Sequence, residues 1–198
     1  MKSILALLGM LGVVSWSATV GAQPNTAAKQ KAAVCAGCHG EAGKGANPLF
    51  PKLAGQHAKF LSKQLRFFKD QSRDVPAMNA IAATLSDEDI ASLSDYFSQQ
   101  QPEPEAGEGS AEGEQIFRNG IAGKKVPACV ACHGPSAEGN APAGIPLLKG
   151  QYAAYTVKAL NDYAAGARGE AKAPMRDIAA RLRETEMKSV AAYIATLK

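Results

Sequence analysis

Apolar positions recur every three or four residues along several short stretches of this chain. Phe60, Leu61, Leu65 and Phe68 fall on one face of a helix at that spacing, and so do Tyr155, Ala159, Leu160 and Tyr163. Ile90, Leu93 and Phe97 make a third stripe, and Met187, Val190 and Ile194 a fourth. Ser86, three residues ahead of Asp89, has the pattern of a helix N-terminus closed by a capping pair, while Arg183 stands at the matching place before the fourth stripe. No run alternates apolar with polar residues as a half-buried strand would. The pattern predicts an all-α protein of short helices, with long loops rich in glycine and proline between them.

The stripes belong to a repeat. PKLAGQ at 51–56 matches PLLKGQ at 146–151, and FLSKQLRFF from Phe60 matches YTVKALNDY from Tyr155. Met78, Ile81, Leu85 and Tyr96 match Met175, Ile178, Leu182 and Tyr193. The offset drifts only from 94 to 97 along the chain, the mark of a duplicated domain whose loops differ slightly in length. Each half is expected to be a bundle of about three to five helices. Between the halves, residues 99–115 are rich in Pro, Gly and Glu without apolar period and read as a solvated tether. The expected organisation is a first domain over 23–100, an acidic linker over 101–112 and a second domain over 113–198.

The first 22 residues stand apart. Lys2 is followed by an apolar run from Ile4 to Val14, and Val20-Gly21-Ala22 supplies small residues ahead of Gln23. This is the pattern of an export signal cleaved after Ala22, because the apolar run is too short to cross a bilayer. Its removal leaves 176 residues of the 198 and a formal charge of +3, no field that suggests nucleic acid. Aromatic residues are 6% of the chain, so each half has a thin core and needs a staple.

The staple is visible in VCAGCHG at 34–40 and ACVACHG at 128–134. Four cysteines in an exported chain ordinarily suggest disulfides. Here they form two CxxCH units, each followed by a helical pattern, and this reads as c-type haem attachment. Cys35 and Cys38, then Cys129 and Cys132, are the thioether positions, and His39 and His133 are the proximal ligands. Two covalently bound haems c would also provide the flat apolar surface that the helices otherwise lack. Two readings compete. A CxxC redox motif would not call for the adjacent histidine and prefers a strand–helix setting. A zinc site would have to join cysteine pairs 94 residues apart and leave both histidines idle.

Beyond the signal the chain has three methionines. Met78 in VPAMNAIA and Met175 in APMRDIAA stand beside prolines at matching positions, and are the candidate sixth ligands of the two irons. Met187 matches Ile90 and reads as core. Pro51 and Pro146 follow the haem motifs at matching distances, so their carbonyls are candidate acceptors for the second nitrogen of His39 and His133. Their alternative is ordinary turn prolines. His57, matched by Tyr152, is expected on the surface. No nucleophile–base pattern stands out, so no catalytic residues are expected. Lys59, Lys63, Arg66, Lys158 and Arg176 are candidates for steering an acidic partner, with a plain solvated face as the alternative.

With PKLAGQHAKFLSKQL in one half and GQYAAYTVKAL in the other, each between a CxxCH and a later methionine, the chain resembles cytochrome c4, the dihaem cytochromes of the proteobacterial periplasm. The resemblance covers everything after the signal. It implies two tandem class I cytochrome c domains, each a small helical bundle around one covalent haem, packed with their haem propionates facing across a pseudo-twofold. It implies electron transport at the membrane surface, from a quinol–cytochrome c oxidoreductase to a haem–copper terminal oxidase, with no substrate turnover. The family's axial ligands carry over as His39 and Met78 for one iron and His133 and Met175 for the other. One departure concerns the first helix of each domain. Gly113 and Phe117 suit a close crossing against the helix of Tyr193, whereas the first domain offers Ala27 and Lys31. Two other functions compete: the dihaem electron-accepting subunit of a dehydrogenase such as a flavocytochrome, and a dihaem peroxidase, which would need one iron with an open side.

Overall fold

The architecture follows from short amphipathic helices that each bury one stripe. In a computed structural model that describes residues 26–168 and 173–198, the chain forms ten α-helices and two 3-10 turns. The expected export signal over 1–22 lies outside the described residues. The first half holds α1 (Thr26–Ala32), α2 (Ala36–His39), α3 (Ala58–Lys69), α4 (Pro76–Ala83) and α5 (Asp87–Ser98). The second repeats the order as α6 (Ala111–Asn119), α7 (Val130–His133), α8 (Ala153–Ala164), α9 (Pro174–Ala179) and α10 (Glu184–Thr196). Among the described residues no helix is long and apolar enough to cross a membrane.

In each half the first helix crosses the last, and the long middle helix packs against the last from another side. The first core is small: Ala32, Leu61, Leu93 and Phe97 are its buried members. The second is larger and centres on Ile116, Phe117, Val190, Tyr193 and Ile194, with Met187 buried at 3% exposure as expected for a core methionine. The helix crossing of the first half differs from expectation by one position. Ala28 and Ala32 are the buried residues of α1, while Ala27 and Lys31 face outward. The second half carries extra residues between its first helix and its motif, closed by a bridge between Ile121 and Val126, and this breaks the nearly constant offset. Lys31 instead pairs with Asp89 at the start of α5.

Helix starts are capped as their sequences direct. Ser86 Oγ accepts from the Asp89 N–H at 3.1 Å, and Asp89 returns the bond to the Ser86 N–H at 3.2 Å. At the start of α10 only the returning half survives: the Glu186 carboxylate accepts from the Arg183 N–H at 2.7 Å. It also accepts from Lys124 Nζ at 2.7 Å and from the Arg183 guanidinium at 2.9 Å. Glu186 is buried; burial pushes its carboxyl up, but these donors outweigh it and hold it down at about 2, against an ordinary 4.5. Because the unfolded chain takes up this proton near the ordinary value, Glu186 stabilises the fold at neutral pH, and that contribution is lost as pH falls from about 4.5 to about 2. We expect Glu186→Gln to lower stability at pH 7 by about 2 kcal/mol, and the difference from the parent to shrink across the same acid range in denaturant titrations.

The segment between the halves is tied down rather than free. Glu103 pairs with Lys44 at 2.5 Å, its carbonyl accepts from Lys52 Nζ at 2.6 Å, and Glu105 bonds Ala195 O and the Ala153 N–H. Helix α6 begins at Ala111, with Ser110 Oγ accepting from the Gly113 N–H at 3.0 Å as its cap.

Candidate haem sites

Each CxxCH unit folds into a single helical turn. Cys35 directly precedes α2 and His39 ends it, with the His39 N–H donating to Cys35 O at 2.9 Å; His133 N–H bonds Cys129 O at the same distance. A four-residue separation sets the first cysteine and the histidine on one face of the turn. Gly40 and Gly134 then reverse the chain with φ of +77° and +79°. A side chain at Gly40 would overlap the Gly45 backbone, so the reversal requires glycine there.

The two histidines are buried and oriented alike. His39 Nδ1 lies 2.8 Å from Pro51 O, and His133 Nδ1 lies 3.1 Å from Pro146 O. A carbonyl only accepts, so Nδ1 carries the proton and Nε2 keeps the lone pair that a metal needs. Burial pushes both imidazoles below their ordinary value, only partly opposed by the carbonyls, which keeps them neutral at pH 7. The turn prolines are thus the acceptors. The four cysteines are unpaired. Burial pushes the Cys35 thiol up and the Cys129 thiol to about 11, the opposite of an activated redox thiolate.

The surroundings suit a flat apolar group. Val34, Leu49, Phe50 and Ile81 are the exposed large apolar residues of the described chain. All four belong to the first half: beside Cys35, ahead of Pro51, and one turn beyond Met78. The Phe50 ring meets the His39 ring edge-on at 6.3 Å. A planar macrocycle held by Cys35, Cys38 and His39 would cover such apolar surface.

Met78 and Met175 sit in the first turns of α4 and α9, each after a proline at the first helical position, and both are half-buried. Met175 and Cys129 both pack on the margin of the second core. A residue the sequence did not single out positions Met78: Asn79 Oδ1 accepts from the Val75 N–H at 2.7 Å, and its Nδ2 donates to Phe68 O at 2.7 Å and Arg73 O at 3.0 Å. That side chain pins the methionine turn to the end of α3.

The same hexapeptides that orient the histidines also join the halves. Gln56 Oε1 accepts from the Leu147 N–H at 3.0 Å, and Gln56 Nε2 donates to Leu147 O at 2.8 Å. Gln151 does the same to Lys52, at 2.9 Å both ways. Positions 52 and 147 correspond in the repeat, as do 56 and 151, so the seam has twofold character. His57 is not a free surface residue: its Nε2 reaches Glu138 O at 2.8 Å, across the seam. Lys59 Nζ donates to Pro142 O at 2.7 Å, and Lys158 pairs with Asp162 at 2.6 Å. Those two cations are therefore engaged within the chain.

Comparison with known proteins agrees with this geometry. Residues 110–198 match the family model described as cytochrome c, and residues 22–97 match the model described as cytochrome c oxidase, cbb3-type, subunit III. The cytochrome c4 of Pseudomonas aeruginosa is 39% identical over 198 residues, covering 98% of this chain and 97% of the relative. A thiosulfate dehydrogenase electron acceptor of Thiomonas intermedia is 34% identical, covering 98% of this chain and 91% of its own. The crystal structure of reduced recombinant cytochrome c4 from Pseudomonas stutzeri superposes with a TM-score of 0.80 at 37% identity, over 87% of this chain and 98% of that one. Domains of this kind bind haem c covalently, and the two CxxCH units give this chain two haems. Matching one relative of this kind over almost its whole length, and sharing the tandem all-α architecture, the chain belongs to the cytochrome c4 family of dihaem electron carriers.

Proposed function

We propose that this cytochrome is a periplasmic relay that carries electrons from a quinol–cytochrome c oxidoreductase to a haem–copper terminal oxidase, without turning over a substrate. In this reading Cys35, Cys38, Cys129 and Cys132 hold the haems, His39 and Met78 ligate one iron, and His133 and Met175 the other. Residues 1–22 direct export, and 23–100 and 113–198 are the two electron-carrying units on either side of the 101–112 segment. The observation that carries it is the duplicated, buried histidine, its Nδ1 proton given to a proline carbonyl in both halves. When bound, each haem supplies a one-electron couple. The chain's part is to hold imidazole and thioether fixed, so that gain or loss of an electron requires little movement, and to keep water from the iron. The reciprocal Gln56 and Gln151 bonds fix the two units against each other.

The likeness to the Thiomonas protein favours a second reading, in which the electron donor is a thiosulfate dehydrogenase. Stopped-flow mixing separates the two. The reduced protein should be oxidised rapidly by purified terminal oxidase, with no peroxide turnover in the control. Slow oxidation together with rapid reduction by a thiosulfate dehydrogenase would replace the first reading by the second.

A further inference from the structure

The two methionine turns are held to their domains in different ways. Asn79 follows Met78, and Arg176 follows Met175 at the matching place. Asn79 is half-buried, and its Nδ2 donates to Phe68 O at 2.7 Å, in the last turn of α3, and to Arg73 O at 3.0 Å, on the chain that leaves that helix. Its Oδ1 accepts from the Val75 N–H at 2.7 Å and closes the turn on itself. Beyond the other end of α4, Leu85 O accepts from Lys69 Nζ at 2.6 Å, so both ends of α4 are stitched to the end of α3.

The second half keeps the helix and loses the stitches. Arg176 is exposed, its guanidinium lies beside Gly166, and among the described residues its side chain forms no hydrogen bond or ion pair. The residue that matches Lys69 is Ala164, which has no side-chain donor. Arg181 Nη1 donates to Lys125 O at 2.7 Å, but this holds the chain beyond α9 and not the turn that carries Met175. A thioether is a soft, weak ligand for ferric iron, and a nitrogen donor such as imidazole suits that metal better. Methionine keeps the position because the fold holds it there. An incoming ligand binds only when the methionine turn has swung away, so its apparent affinity is the intrinsic one reduced by the fraction of open turns. In the first half, opening breaks the Asn79 bonds to Phe68 O and Arg73 O. Each neutral hydrogen bond shifts such an equilibrium by roughly two- to tenfold. In the second half Arg176 has no such bonds to break.

We propose that Asn79 locks Met78 on its iron, and that the iron of the second half, without that lock, is an exchangeable site at which a small neutral nitrogen donor displaces Met175. This rests on the ligand assignment proposed above and adds to it which of the two centres a diffusible ligand can address. The exchange breaks one iron–sulfur bond and forms one iron–nitrogen bond, without a change of oxidation state. Methionine opposite histidine raises the potential, so its displacement lowers the potential of the second haem and leaves the first as it was.

The test is titration of the oxidised holoprotein with imidazole, above the pKa of imidazole itself, followed by the sulfur-to-iron band. Met175→Ala isolates the Met78 contribution, and Met78→Ala isolates that of Met175. The Met175 contribution should vanish at an imidazole concentration roughly tenfold below that needed for Met78. Asn79→Ala, made in both backgrounds, should lower the Met78 midpoint by roughly tenfold and leave the Met175 midpoint where it is. A general loosening of the fold would move both, and that outcome overturns the lock, as does an Asn79→Ala that moves neither. Should Asn79→Ala not fold, the two midpoints of the parent backgrounds still decide: equal values, or Met78 leaving first, overturn the inference. A band that stays whole in Met78→Ala or Met175→Ala would instead overturn the ligand assignment, and this inference with it.

Discussion

With Met78 and Met175 as the proposed sixth ligands, Met78→Ala should remove about half of the weak near-infrared sulfur-to-iron band of the oxidised protein, Met175→Ala should remove the other half, and each variant, once reduced, should bind carbon monoxide at one haem of two. The expectation follows from the numbers of ligands. Haem is attached through the cysteines, so both variants keep two haems per chain. The histidines should also be untouched, because His39 and His133 are held by the carbonyls of Pro51 and Pro146 and not by the methionine segments. Only the thioether is lost, and the reduction potential of that haem falls with it, since methionine opposite histidine raises the potential. Met187→Ala is the control. Its side chain is buried in the second core at 3% exposure, so its loss costs about 2–5 kcal/mol in stability and leaves the band whole. A full band in Met78→Ala or Met175→Ala would mean that these side chains only fill space.

What the sequence revealed and what it hid have different physical origins. CxxCH is legible because thioether attachment and ligation act within one helical turn, so the chemistry is written in consecutive residues. The duplication is legible because the apolar stripes recur at a nearly fixed offset. The histidine acceptors could be guessed from matched prolines, since the PKLAGQ and PLLKGQ segments stand at like distances from both motifs. Contacts across the seam left no such trace. Gln56 and Gln151 sit beside glycines in loops, where a glutamine is ordinarily solvated, and their partners are backbone groups 91 and 99 residues away. His57 was misread for the same reason: its acceptor, Glu138 O, is a main-chain atom of the other half. Arg73 and Arg168, both buried, were passed over because arginines near a helix end usually face water. The register of α1 was missed because Ala27, Ala28, Ala32 and Ala33 offer two overlapping small faces and no large residue to choose between them.

The helix crossing that the second half makes without a side chain carries a large expected effect on stability. Gly113 lies in α6 where it crosses α10. A Cβ there would overlap the Ser189 carbonyl oxygen, come to 2.6 Å from the Ser189 carbonyl carbon and to 3.0 Å from Tyr193 Cβ. The obstruction is backbone, which cannot swing aside as a flexible side chain can. Phe117, fully buried one turn on, stacks at a tilt on Tyr193 with ring centroids 5.5 Å apart, so parting the helices also loosens this aromatic contact. Two effects of opposite sign compete in Gly113→Ala. Alanine is better than glycine in a helix by about 1 kcal/mol. Forcing a methyl group into a filled crossing costs about 3 kcal/mol or more. The second dominates, and for a domain of this size a net loss of about 2 kcal/mol lowers the melting midpoint by roughly 8–16 °C. The first half supplies the internal contrast. Ala28 already carries a Cβ where α1 crosses α5, at 1% exposure, so Ala28→Gly should lose only the helix preference of about 1 kcal/mol. Melts followed by far-ultraviolet circular dichroism and by the sulfur-to-iron band of each haem would assign the losses. Gly113→Ala should extinguish the Met175 contribution first, and a parental midpoint in that variant would mean the two helices have room for a methyl group between them.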